Sequence, residues 1–358
     1  MLSEKHIVCE KYRTERSAEL AIACDITESS VAIVLYDLVL EHRYARSIMF
    51  GTHITPTNVA DELIKFIVTT LRDYSVKLSA VKRMGIAAPV HIESALERTL
   101  KPNDLSFSDK CEILYVPFIS AGISGRFTAS LLTLPNSKDW AAADFGKTFC
   151  IAHKTGSELH CAAFPLLGAF DGTALENGMP TEKGAIIGVQ RESDGAVAYE
   201  VAGDCDSIGI SSSGALTVVS EMQKNSVLDS DGIMTDRDYF YIGEDFFVSQ
   251  NDIRAIQTDK ARTAAAFELL PEINTQMFFS GEPFSTANGF RALLGIGAIP
   301  ERFKDASFCR NSTEQGIIAF LEDDDIRRYA FEISHVAKDF SRDNLLKYDK
   351  EYLNNLNF

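Results

Sequence analysis

The chain has 358 residues, 46% hydrophobic and 24% charged, with a formal net charge of −16 and a pI near 4.9. This is the balance of a globular protein with ample core, in one large domain or two to three ordinary ones. It argues against nucleic acid or an anionic membrane as the main partner, and it would oppose ATP unless a site supplied local positive charge or Mg²⁺.

Residues 1–18 read as a polar lead-in. Leu20 to Cys24 is an apolar run with the pattern of a buried strand, and Val31 to Leu40 is a second β-rich run. The segment between them, Asp25-Ile26-Thr27-Glu28-Ser29-Ser30, has hairpin length and hydroxyl-rich turn chemistry. Thr57 to Tyr74 carries apolar residues at helical spacing behind Pro56. Ala80–Val90 and Ile113–Phe118 read as strands, and Gly122–Leu134 as a helix entered through Gly125. The first hairpin is then echoed in Ala141 to His153: a short apolar run ends at Asp144, a turn follows, and an apolar strand leaves it.

Ala162–Val189 is rich in turns, with glycines between short strands. Ala196–Val201 and Ile208–Ile210 are further strands. Gly214–Gln223 and Asn251–Leu270 are helices, and Met277–Ser280 is a strand turning through Gly281-Glu282-Pro283 into a helix around Arg291–Leu294. Thr313–Leu321 is another helix, closed by the acidic run Glu322–Asp325. The expected organisation is a lead-in (1–18), a first lobe (19–138), a second lobe (139–325) and a C-terminal packing segment (326–358). Alternating strands and helices give an α/β protein. Two Asp-headed hairpins more than a hundred residues apart suggest two lobes, each opened by one hairpin.

No apolar run reaches the roughly 18 residues of a membrane helix, and the charged N-terminus has no apolar signal core. None of the seven cysteines (Cys9, Cys24, Cys111, Cys150, Cys161, Cys205, Cys309) lies in a C-x-x-C pair, so neither a zinc knuckle nor an iron–sulfur cluster is expected. Unpaired thiols fit a reducing cytoplasm. His91 and His160 flank apolar strands and read as packing or surface residues, and Glu322–Asp325 as a solvated helix end.

From Leu20 to Leu321 the order of segments resembles the C-terminal, ATP-binding half of the reductive activators of corrinoid proteins. Those belong to the acetate and sugar kinase, Hsp70 and actin superfamily (ASKHA). Asp25-Ile26 and Asp144-Phe145-Gly146 stand where that family opens its two hairpins. Ala169-Phe170-Asp171-Gly172, Gly178-Met179 and Gly184-Ala185-Ile186 are similar to its A-F-E-G, G-M and G-A-I series. Ser207 to Gly214 resembles its P-I-G-I-C-G-S-G turn, and Gln250 to Arg254 with Gln257 and Lys260-Ala261 its Q-x-D-I-R-x-x-Q-x-A-K-A helix. Gly295 to Pro300 and Asn311-Ser312 resemble its last landmarks.

The resemblance implies a two-lobed actin-like fold and covers only the ATPase half, without the family's N-terminal 2Fe–2S ferredoxin domain. It implies a nucleotide site of Asp25, Ser29, Ser30, Asp144, Gly146, Lys147, Thr148, Asp171, Gly172, Gly209, Ser213, Gly281 and Asn311. Asp25 and Asp144 would orient Mg²⁺ if nucleotide binds. Catalytic residues are not assigned.

The departures fall at the chemistry. The family's D-I-G-T-T-T has Thr27 in place of its Gly and Glu28 in place of a Thr, and its D-I-G-T-N-G-E has Lys147 to Cys150 after Gly146. Its G-N-T-T-M is Gly85 to Pro89 here, its G-A-D is Gly125-Arg126-Phe127, and its A-G-G-F-G is Ser280 to Phe284. Glycines in phosphate turns give an anion access to backbone N–H groups, and a Cβ removes it. One added carboxylate about 4 Å from a phosphate oxygen costs roughly 4 kcal/mol at an effective dielectric near 20, and both Glu28 and Glu282 are additions. Lys147 is the cation expected to offset one of them, by reaching Asp25, Glu28 or both. The departures favour a degenerate paralogue, a binding or regulatory module whose partner class is a corrinoid protein or its methyltransferase, with ATP/Mg²⁺ in doubt and homo-oligomers open. The alternatives are an active ATPase re-arming an oxidised corrinoid protein with an external electron donor, and a small-molecule kinase.

Overall fold

A computed structural model describes residues 5–101, 111–120, 122–136, 138–192, 196–235, 238–271, 275–341 and 344–358. The chain starts on strand β1 (His6–Lys11) and forms the first hairpin from β2 (Leu20–Ile26) and β3 (Ser30–Asp37), with β4 (His42–Phe50) following. Helix α1 (Val59–Asp73), β5 (Val81–Ala87), α2 (Val90–Thr99), β6 (Glu112–Tyr115) and α3 (Gly125–Leu131) complete this run. The second hairpin is β7 (Trp140–Phe145) with β8 (Thr148–Thr155), and β9 (Glu158–Pro165) lies beside it. Next come β10 (Ala185–Arg191), β11 (Val197–Val201), β12 (Gly209–Ile210) and α4 (Ser212–Lys224). They are followed by the pair β13 (Tyr239–Ile242) and β14 (Phe246–Ser249), then α5 (Gln250–Phe267). The chain continues through β15 (Gln276–Gly281), α6 (Ala287–Gly295), β16 (Ser307–Phe308), α7 (Ser312–Glu322) and α8 (Asp324–Val336). It ends in β17 (Lys338–Asp339) and α9 (Leu345–Asn354).

Two units result. The first takes Glu4–Asn136 and Ser312–Ala337, the second Ser137–Asn311 and Lys338–Phe358. Among the described residues each is built on a mixed sheet, ordered β1-β4-β3-β2-β5-β6 in the first and β16-β15-β7-β8-β9-β17 in the second. Both repeat one plan: a meander of three antiparallel strands, with a parallel strand added beside the one that carries the Asp. That strand is β5 on β2, pairing Ala87 with Asp25, and β15 on β7, pairing Ser280 with Asp144. Leu20 to Cys24 of β2 form an apolar run buried on both faces of the strand. The second unit's hairpin is anchored by Phe145, next to Asp144. Its ring meets Phe149 edge-on at 4.8 Å and Phe284 at 5.1 Å inside an aromatic core.

The structure differs from the expected organisation in two places. β1 forms within the expected polar lead-in, pairing with β4 from His6↔Phe50 to Lys11↔Ala45; residues 1–4 lie outside the described set. Residues 312–325, assigned above to the second lobe, return with α8 to the first unit. The cause is non-local. A Cβ on Gly85 would come within 2.6 Å of Ile317, and one on Gly316 within 1.8 Å of the Ala129 carbonyl, so these two glycines let α7 lie directly on β5 and α3. Arg46 and Arg83 fasten it through the Glu314 carboxylate (2.8 Å) and the Leu321 carbonyl (2.6 Å). The rest of the tail packs on the second unit. Phe340 N–H donates to the Cys161 carbonyl, Tyr348 stacks on Phe164 at 4.4 Å, and Lys260 Nζ caps the Asn355 and Asn357 carbonyls. Among the described residues no helix is long and apolar enough to cross a membrane.

Candidate functional site

In the first unit, Asp25 is the penultimate residue of β2, at the mouth of the hairpin. Its carboxylate is clasped by Arg126 of α3: Nε lies 2.5 Å from Oδ1 and an Nη nitrogen 3.2 Å from Oδ2. This is the two-pronged geometry that guanidinium and carboxylate favour. The side chains are 15% and 26% exposed, so the pair is partly desolvated.

The turn that follows is held by Thr27. Its hydroxyl oxygen accepts the backbone N–H groups of Ser29 (3.1 Å) and Ser30 (2.9 Å) and contacts the Ser30 hydroxyl at 2.9 Å. Thr27 N–H donates to the Ser30 carbonyl at 2.9 Å. A threonine hydroxyl folded back on the N–H groups two and three residues ahead is a turn-forming motif in its own right. Here it takes up the donors that an anion in this turn would need. The half-buried Glu28 carboxylate lies 3.9 Å from His91.

In the second unit, Asp144 occupies the matching place on β7 and accepts a hydrogen bond from the Ser280 hydroxyl at 2.6 Å. Gly146, Lys147 and Thr148 form the turn. Lys147 is exposed, whereas Gly146 and Thr148 are half-buried. Within the first unit, the cation on Asp25 is Arg126. Gly281 lies at φ 108°, and a Cβ there would fall 2.3 Å from the Phe145 carbonyl oxygen, so the glycine is what lets β15 approach the hairpin. Next to it, the Glu282 carboxylate receives the backbone N–H of Thr181. That contact ties Glu282 to the turn after Gly178-Met179.

Gly172 and Gly209 of the remaining expected site residues lie around that turn. A Cβ on Gly209 would come within 2.9 Å of the Met179 sulfur, and Gly172 also packs on Met179. Asp171 closes its own loop by accepting from Thr173 N–H (3.0 Å) and hydroxyl (2.6 Å). Ser213 is wholly buried, with its hydroxyl donating to the Ile187 carbonyl at 3.2 Å and paired with Ser211, the N-cap of α4. Asn311 is exposed in a left-handed conformation just before α7. Thus Gly281, Gly172, Gly209 and Ser213 share the second unit with Asp144, and Asp25, Ser29 and Ser30 share the first.

The helix landmarks prove to be supports. Asp259 of α5 accepts the N–H groups of Leu167, Gly168 and Ala169 at 2.6–3.1 Å, and burial pushes its carboxyl up to about 6 against the pull of those donors. Asp252 completes the capping box of α5 with the N-cap Ser249 and accepts Glu176 N–H at 2.9 Å. Sequence reasoning missed the roles of Arg126, Thr27 and Ser280. Each stands at a position where the family's motif is altered, and that alteration was the available signal.

A family model describing the C-terminal domain of RACo, the ASKHA domain, matches residues 142–358, well over half of the chain. The chain belongs to this family. The solved structure of a "Reductive activator for corrinoid, iron-sulfur protein" superposes with a TM-score of 0.81 at 17% identity. It covers 97% of this family member and 67% of that chain, a likeness that establishes the shared ASKHA fold. Weaker likenesses reach the ethanolamine utilization protein EutJ from Carboxydothermus hydrogenoformans (TM-score 0.42, 8% identity, 87% of this chain and 92% of that one). They also reach the activator of 2-hydroxyisocaproyl-CoA dehydratase from Clostridium difficile (0.36, 10%, 87% and 97%). No curated protein matches the chain.

Proposed function

We propose that this ASKHA domain is a degenerate relative of the corrinoid activators, acting as a binding or regulatory module on a corrinoid protein or its methyltransferase. The observation that carries the reading is the self-satisfied first turn. Thr27 absorbs the Ser29 and Ser30 N–H groups, and Arg126 occupies both oxygens of the one carboxylate in that turn suited to orient Mg²⁺. A phosphate arriving there would have to displace hydrogen bonds that already exist, and a Mg²⁺ ion would have to displace a guanidinium. The residues of the first turn do not fit Mg·ATP. Under this reading the protein works in the cytoplasm, alone or as a homo-oligomer, and carries no iron–sulfur cluster.

The second turn favours another reading. There Asp144, Gly146 and an exposed Lys147 remain together, as would suit an ATPase that re-arms an oxidised corrinoid protein with an external electron donor. Thermal unfolding with and without Mg·ATP separates the two. A ligand at a hundred times its dissociation constant stabilises by about 2.7 kcal/mol. The module reading expects an unchanged Tm at millimolar Mg·ATP, and a rise of several degrees would support the ATPase.

A further inference from the structure

In β13 the side chains alternate. Phe240 and Ile242 enter the core, while Tyr239 and Tyr241 stand outside, 43% and 55% exposed. Phe247 of β14, directly opposite Tyr241, packs edge-on against Tyr239 at 4.9 Å and against Tyr241 at 6.0 Å. Tyr199 of β11, itself 43% exposed, joins them: a Cβ on Gly243, in the turn between β13 and β14, would sit 3.3 Å from its ring. Tyr239, Tyr241 and Phe247 are thus in mutual ring contact on the outward side of this hairpin, with the Tyr199 ring beside its turn.

The charged residues of β11, β13, β14 and the β13–β14 turn are all acidic, and Arg237, two positions before Tyr239, lies outside the described residues. Glu200 follows Tyr199, Asp238 precedes Tyr239, and Glu244 and Asp245 form the turn. All four are exposed, and none makes an ion pair among the described residues. No Lys or Arg occurs in β11, β13, β14 or the Gly243–Asp245 turn. Elsewhere, cations do cover aromatic rings: Lys11 and Arg16 lie over Tyr44, Arg302 over Phe303, and Arg327 over Phe320.

We infer that this face docks an arginine-bearing segment of a partner protein. Exposed tyrosine rings are a surface that a guanidinium stacks upon, and tyrosine is enriched at protein interfaces. These neighbouring carboxylates supply the complementary charge, orienting the segment and excluding acidic partners. The inference names the chemistry of the partner in the module reading. It stands on residues outside the nucleotide turns, so the outcome of an ATP titration does not decide it.

The test uses the full chain and a synthetic eleven-residue peptide, in which arginine alternates with glycine, alongside its lysine and citrulline counterparts, by calorimetry. The arginine peptide should bind, the lysine peptide severalfold more weakly, and the citrulline peptide not measurably. Tyr239→Ser with Tyr241→Ser should weaken arginine-peptide binding about tenfold, since both rings on which the guanidinium stacks are removed. If that variant does not fold, Glu244→Gln with Asp245→Asn, which leaves the rings in place, should weaken it severalfold instead. Neutralising Asp323, Asp324 and Asp325 of the other unit should change nothing. Absence of arginine-peptide binding, equal binding of the citrulline peptide, or undiminished binding by the folded hairpin variants would overturn the inference.

Discussion

Arg126 and Asp25 are 101 positions apart in the chain and meet in a two-pronged pair, with Nε 2.5 Å from Oδ1. The contact joins the start of α3 to the end of β2, so it both closes the first turn and fixes the helix that follows β6. Being partly buried, it should show a coupling of about 1–2 kcal/mol, above an exposed pair and below a fully buried one. A double-mutant cycle of Arg126→Gln and Asp25→Asn, read by urea unfolding, measures it. Additive effects of the two substitutions would mean that the pair stabilises nothing.

Thr27→Ala removes the acceptor of two backbone donors while leaving the turn's length intact. The expected loss is about 1–2 kcal/mol, in the range of a lost helix cap. Thr27→Ser keeps the oxygen and should retain most of the stability. Equal unfolding midpoints for the alanine and serine variants would show that the hydroxyl is idle.

Glu93 gives a pH signature. It is 3% exposed, its Oε2 has no hydrogen-bond partner among the described residues, and burial, then nearby Glu97, pushes its carboxyl from 4.5 up to about 8. Between those values the unfolded chain has released the proton that the folded protein keeps, so folding stability falls as pH rises from about 4.5 to about 8. Glu93→Gln removes this dependence. Its advantage over the parent should grow from pH 5 to pH 8 in urea unfolding. A difference independent of pH would remove Glu93 as the cause.

Asp259→Ala strands the three N–H groups of Leu167, Gly168 and Ala169 that its carboxylate holds. The expected cost is about 3 kcal/mol or more, with Asp259→Asn, which keeps one acceptor, falling between alanine and the parent. Hydrogen exchange at those three amides locates the effect: they should lose protection first. Unchanged exchange there would refute the assignment.

What could be read in the sequence was local. Both hairpins were legible because an apolar run, an Asp and a short polar turn are contiguous, and α5 because its apolar residues keep helical spacing over Gln250–Phe267. β4 was not. Its sequence, HRYARSIMF, mixes two arginines into a strand whose Arg46 and Arg43 face Glu314, some 270 positions away. α2 was hidden by the apolar continuation of β5 through Ala88-Pro89-Val90. The return of α7 to the first unit depends on the absence of side chains at Gly85 and Gly316, which no periodicity announces. The candidate site divides the same way. The substitutions at Thr27 and Arg126 were visible as departures, but that one caps its own turn and the other captures Asp25 appears only once distant segments meet.

The central claim is that the first turn is closed against Mg·ATP by Thr27 and Arg126. Calorimetric titration of Mg·ATP into the parent and into the Thr27→Gly, Arg126→Ala double variant tests it most directly. The account predicts a dissociation constant well above the micromolar range for the parent and at least tenfold tighter binding by the double variant. That gain corresponds to about 1.4 kcal/mol recovered when the two closures are removed. Micromolar, Mg²⁺-dependent binding by the parent would contradict it.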